Sequence, residues 1–169
     1  MPAFPFLTLL VSGGHTLLLL ATSLTNFRIL ATTADQSIGR VFDKVSRMLA
    51  LPWSALGPGA ALEELCLSEP SADKPVDIPI LPGALQGKFV FSFSGLHSAV
   101  ERFVTARGGP EALDEPTKRA LAREFQRAAV GQLEEKLGLA LSWCAIRGFE
   151  VRHVVVSGGV ASNMYLRER

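Results

Sequence analysis

Two cysteines in 169 residues, Cys66 and Cys144, are too few and too far apart for a disulfide scaffold or a cysteine zinc site. They read as free, buried thiols in a reducing compartment. Three histidines, His15, His97 and His153, show no i, i+3 or i, i+4 pairing, so no metal site is expected from this chain alone. No apolar run reaches the ~20 residues that a membrane span needs, because Ser12 to Thr16 interrupts the longest one. No membrane partner and no targeting peptide are read from the sequence. An excess of one charge is also missing. Seventeen Lys and Arg stand against sixteen Asp and Glu, a net charge of +1. That argues against a domain gripping nucleic acid by electrostatics alone, and leaves room for a nucleic-acid substrate delivered partly by a partner. Neither G-x-S-x-G nor H-E-x-x-H occurs, and Ser12 with His15 does not make a hydrolase.

What is present is a globular composition, 48% hydrophobic and 20% charged, enough for one sizeable core or parts of two lobes. Phe6 to Val11 and Thr16 to Thr22 read as strands joined at Gly13-Gly14. Their nearly unbroken apolar character predicts a central sheet covered on both faces. Asn26 to Thr33 is a third strand. From Ile38 the spacing of Val41, Phe42, Val45, Met48 and Leu49 predicts an amphipathic helix to about Leu51, ended by Pro52. Gly57-Pro58-Gly59 opens a short helix over Ala60 to Leu67, and Glu69 to Gln86 reads as an ordered loop or lobe connection. A strand over Lys88 to Phe93 leads into a helix from Leu96 to about Thr105, with Ser94 as its N-cap. Gly108 to Pro116 is a linker. A long helix over Thr117 to Ile146, a buried strand over Val151 to Val156 and a final helix after Gly158-Gly159 complete an α/β layout. The chain opens inside a strand and closes inside a helix, so it reads as an internal piece of a longer protein.

Two corners are written Val-Ser-Gly-Gly, at 11–14 and 156–159. A glycine pair at the end of a buried strand lets backbone N–H groups face a ligand with no Cβ between, and a helix after it favours phosphate. Each pair alone is also an ordinary turn; together they suggest a shared nucleotide cleft. Asp43 reads either as a solvated helix carboxylate or as a ribose ligand accepting from both hydroxyls of a cis diol. Glu63 or Glu64 could serve the same ribose or lie on the surface.

Taken in order, LVSGGHT, SIGRVFDKVSRMLAL, GPGAALEEL, FSFSGLHSAV and VVVSGGVASNMYLRER make the chain resemble the tRNA N6-adenosine threonylcarbamoyltransferases, formerly called O-sialoglycoprotein endopeptidases. The resemblance covers nearly all residues and looks closest to the mitochondrial animal branch. It implies the actin-like, Hsp70-like two-lobe fold, with residues 1–169 an internal segment holding parts of both lobes. It implies transfer of a threonylcarbamoyl group from threonylcarbamoyl-AMP to N6 of the adenosine beside the tRNA anticodon, a mitochondrial location and a homodimer. Carried over by position, Leu10, Val11, Ser12, Gly13 and Gly14 match the substrate-binding loop, Asp43 the nucleoside acid, Gly59 and Glu63 the family's glycine and acid, and Asn163 the nucleotide-side asparagine.

The departures matter as much. The family's one divalent metal ion per subunit, zinc or iron, would take paired histidines from before Leu10 and an aspartate from beyond Arg169. Its ligands are not in this chain, so the free polypeptide is expected to be inactive. Ala60 stands where many members have proline, which loosens the loop. No residue is a persuasive general base. Backbone N–H groups of Ser12 to Gly14 would face developing negative charge. Two rival readings are an actin-like small-molecule kinase, whose D-x-G hairpin is missing, and a truncated isoform that only binds partners.

Overall fold

A computed structural model describes residues 2–53, 55–68 and 76–169. Five strands form one sheet in the order β4-β3-β2-β1-β5, with β1 at Phe6–Val11, β2 at Thr16–Ala21, β3 at Phe27–Thr33, β4 at Val90–Phe91 and β5 at Val154–Ser157. β1, β2 and β3 pair with one another antiparallel, as a meander. β4 and β5 add parallel strands at the two edges. The helices are α1 at Ile38–Met48, α2 at Pro58–Leu67, α3 at Ser94–Ala106, α4 at Glu115–Ile146 and α5 at Met164–Glu168, with single 3₁₀ turns at Pro110–Ala112 and Gly159–Ser162. The α/β layout read from the sequence is the one found.

The period-2 alternation of β1 and β2 sends Leu7, Leu9, Val11, Leu18 and Leu20 into the core. Each is worth about 1.5–3 kcal/mol relative to exposure. They meet Val41, Phe42 and Val45 of α1, and Leu121, Phe125 and Leu133 of α4; Phe42 and Phe125 pack edge to face at 5.0 Å. The expectation of a doubly covered sheet is corrected. Every described helix packs on this one face, while Phe6, Thr8, Leu10, Leu17 and Leu19 on the other are only half-buried. β3 also departs from simple alternation. Leu18 pairs with Ala31 and Leu19 with Ile29, so a bulge at Leu30 puts Ala31 in the core and leaves Ile29 and Phe27 exposed. β5, expected to be buried, is an edge strand with β1 as its neighbour, and its Val154 and Val156 stay exposed.

Helix boundaries follow local chemistry. α1 stops at Met48 because Ala50 turns left-handed at φ 52°, three residues after Arg47 and before Pro52 can act. α4 starts two residues early, at Glu115, since the Asp114 carboxylate accepts from Thr117 N at 3.0 Å. Ser94 does not cap α3. The Asp35 carboxylate, from the loop before α1, accepts from Ser92 Oγ at 2.6 Å, Phe93 N at 3.0 Å and Ser94 N at 3.3 Å. Partial burial pushes its carboxyl up. The Ser92 hydroxyl and the N–H groups of Phe93, Gln36 and Ser94 outweigh that and leave it below the usual carboxylate value.

α4 also satisfies the backbone of the irregular segment before β4. Glu124 accepts from Leu81 N and Glu135 from Gly87 N, both at 2.6 Å. Lys136, with no exposed surface, donates to Leu85 O at 2.7 Å and to Glu135 Oε2 at 2.8 Å. The loop expected over Glu69 to Gln86 is therefore ordered from residue 76 on, and residues 69–75 lie outside the described residues. Cys66 and Cys144 are both free and buried, and burial pushes the Cys66 thiol up to about 12, which makes it unreactive.

Candidate nucleotide-binding cleft

The two Gly-Gly corners meet. β1 and β5 are adjacent and parallel, with Leu10 opposite Ser157, so both corners leave the sheet at the same end. Gly158 sits at φ 103°, and a Cβ there would overlap the Val11 carbonyl. This close approach, and the left-handed φ, demand glycine. The first corner is bonded to α1. Ser37 Oγ donates to Gly13 O at 2.7 Å, Gly39 N to Ser12 O at 3.2 Å, and Ile38 N to Thr16 Oγ1 at 2.9 Å. The unpaired N–H groups of the α1 N-terminus are thus used to hold the hairpin. A Cβ on Gly39 would stand 2.7 Å from the Ser12 carbonyl.

Inside the corner, Ser12 Oγ accepts from Gly14 N at 3.2 Å and His15 N at 2.9 Å, and Ser12 N donates to His15 O at 2.8 Å. The expected row of three N–H donors is therefore reduced. Ser12 N and Gly14 N are occupied, and Gly13 N has no acceptor among the described residues. Gly13 and Gly14 have no left-handed φ, and a Cβ on Gly13 would meet nothing within 4 Å. Packing does not require glycine there.

Between the corners, α1 and α2 lies a cleft of about 250 Å³ lined by Gly13, Asp43, Gly59, Glu63, Gly159 and Asn163, together with Gly39, Phe42 and Val160. Five of the nine residues expected from the resemblance converge here. Asp43 is half-buried, and a Cβ on Gly59 would be 3.1 Å from its Oδ1. Gly57, the N-cap of α2 at φ 88°, lets α2 start at this distance. Glu63 Oε1 accepts from Met164 N at 2.6 Å and so ties α2 to the first turn of α5. Asn163 is buried; its Oδ1 accepts from Leu166 N at 3.0 Å, and its Nδ2 donates to Gln126 Oε1 at 3.3 Å. It caps α5 as well as lining the cleft.

The other four, Leu10, Val11, Ser12 and Gly14, are not in the lining. The Val11 side chain lies in the core, and Leu10 is on the opposite sheet face. They position Gly13. Sequence reasoning missed Gly39, Ser37, Thr16 and Asp35. Gly39 carried a usable signal, because glycine in the first turn of a helix costs about 1 kcal/mol unless something packs against it.

Such a cleft can accept a polar, hydroxyl-rich ligand. It offers two carboxylates, an exposed N–H at Gly13 and an apolar floor at Phe42. The residues present do not fit a metal ion. No group of three His, Cys, Asp or Glu side chains among the described residues could hold one, and Asp43 and Glu63 have no histidine beside them in the lining.

All 169 residues match the model of the family TsaD, tRNA N6-adenosine threonylcarbamoyltransferase. A probable mitochondrial tRNA N6-adenosine threonylcarbamoyltransferase of Arabidopsis thaliana is 37% identical over 99% of this chain and 36% of its own length. The enzyme of that name from Methylobacillus flagellatus is 37% identical over 99% of the chain and 46% of its length. The mitochondrial one of Schizosaccharomyces pombe is 38% identical over 98% and 39%. The chain therefore spans less than half the length of these relatives. With five motif residues gathered in one cleft and the match running from end to end, the chain belongs to the tRNA N6-adenosine threonylcarbamoyltransferase family.

Proposed function

We propose that this chain supplies the nucleotide-holding cleft for threonylcarbamoyl transfer to N6 of an adenosine in tRNA, with threonylcarbamoyl-AMP as donor. The observation that carries this reading is the convergence of Gly13, Asp43, Gly59, Glu63 and Asn163 on one cleft. Asp43 and Glu63, which both line the cleft, accept from the ribose hydroxyls. Gly13 N–H donates to a phosphate or carbonyl oxygen of the donor. In the transfer, N6 of the acceptor adenine bonds to the carbamoyl carbon, the bond from that carbon to the phosphate oxygen breaks, AMP leaves with that electron pair, and the proton lost from N6 passes to water. These residues hold and orient the nucleotide; none of them takes that proton. No step is routed through a metal ion, because the residues present do not fit one. A homodimer and a mitochondrial location belong to the same proposal. The mitochondrial names of two relatives support the location.

AMP titrated into the chain, followed by the shift of its melting temperature, tests the cleft. Asp43→Ala is expected to lower AMP affinity at least tenfold and to leave the unliganded melting temperature within 2–4 °C, as about 1 kcal/mol would. Wild-type affinity in that variant would remove the ribose assignment.

A further inference from the structure

The solvent side of α1 carries three cations that enter no ion pair among the described residues. At about 100° per residue, Arg40, Lys44 and Arg47 project within an arc of about 60°, opposite the buried stripe of Ile38, Val41, Phe42, Val45 and Leu49. The one acid of the helix, Asp43, lies beside that arc, turned toward Gly59 and the cleft. Arg40 with Lys44 and Lys44 with Arg47 are like-charge neighbours at i, i+4 and i, i+3, an arrangement that destabilises an isolated helix. α4 is built differently. There Arg119 pairs with Glu115 at 2.6 Å and Arg127 with Glu124 at 2.7 Å.

An aromatic ring completes the ridge. The Arg47 guanidinium lies 4.8 Å from the ring centre of Trp53, and Trp53 is 49% exposed. Arginine and an exposed indole together form a platform for a stacked base. The molecule has a second arginine–tryptophan cluster, Arg28 and Arg147 over Trp143 at 5.1 and 4.1 Å. It sits by the start of β3, which is the end of the sheet away from the cleft. The α1 ridge is on a helix that itself lines the cleft, with Gly39 and Asp43 beside the ridge residues.

We propose that Arg40, Lys44, Arg47 and Trp53 form the docking surface for the single-stranded RNA that flanks the reacting adenosine. This inference rests on the reading of the cleft given above. A base reaching the cleft carries its phosphates across the rim. Three cations spread over about 10 Å of helix meet that backbone, and Trp53 stacks on an unpaired base.

The test measures binding of the chain to an anticodon stem-loop RNA by fluorescence anisotropy over a range of salt concentrations. The triple variant R40Q/K44Q/R47Q is expected to bind at least tenfold more weakly. Its log-affinity against log-salt slope should fall by about 2, from ~0.7 per phosphate contact on a single strand. R40K/K44R/R47K should restore both, and R147Q at the far cluster should change neither. W53L should bind several-fold more weakly with the slope kept. AMP affinity should stay at the wild-type value in all of them. Unchanged RNA affinity and slope in the triple variant, with its melting temperature intact, overturns the proposal and leaves the ridge to an acidic protein partner. Equal losses in R147Q overturn it too, as non-specific attraction. If AMP fails to bind while the triple variant still loses RNA, the cleft reading falls and the ridge stands.

Discussion

At Gly13 an added methyl group would stand in open space, whereas at Gly158 it would overlap the Val11 carbonyl and lie 2.8 Å from its carbon. The two corners share the letters Val-Ser-Gly-Gly and have different reasons for them. Gly158 is glycine because the chain folds so tightly there that nothing else fits. Gly13 is not fixed by its own φ or by any neighbour among the described residues. In the proposed cleft, that bare backbone is where the nucleotide comes close. One corner closes the sheet end and the other presents it.

The sharpest way to break this contrast is Gly158→Ala. Overlap with Val11 combined with φ 103° should cost about 3–5 kcal/mol, read as a lower denaturant midpoint; a loss under 1 kcal/mol would mean β5 can move away from β1 freely. Gly39→Ala is next. Its Cβ would press on the Ser12 carbonyl at 2.7 Å, and about 1–3 kcal/mol should be lost, with AMP affinity falling as the first corner shifts. Asp35→Ala removes the cap of α3 and should cost about 1 kcal/mol. Because the Asp35 carboxyl is held below its ordinary value, its contribution is present above about pH 4 and fades as pH falls through the lowered value. Melting curves of wild type and Asp35→Asn should therefore converge in acid; a gap that persists there would assign the effect to packing. Gly13→Ala is the smallest in stability, unchanged or up to about 1 kcal/mol better, yet it should weaken AMP binding. Loss of stability without loss of binding would reverse the contrast between the corners.

Much of this was legible in the residues. Alternation in β1 and β2 and the helical spacing of Val41, Phe42 and Val45 fixed elements that the structure contains, and five ordered motifs carried the family, whose fold is the actin-like, Hsp70-like class. Asp43, Gly59 and Glu63 could be named as one group. Their meeting could not be derived from spacing, since Glu63 reaches Met164, 101 positions later. The capping of α3 was misread for the same reason. Ser94 offered a local cap, and a carboxylate 58 positions earlier took its place. The sheet face that no described helix covers was misread because an apolar run records that a strand can be buried on both sides, not which neighbours arrive to bury it.

The sequence by itself determined which stretches become strands and helices, where glycine relieves the backbone, and which family the chain enters, because these depend on side-chain periodicity and short-range sterics. Tertiary structure alone decided that Gly13 is open and Gly158 locked, that Asn163 is a cap as well as a cleft residue, and that Ser12 and Gly14 spend their N–H groups inside the turn. Those outcomes depend on distances between segments far apart in the chain, and local propensity carries no information about such distances.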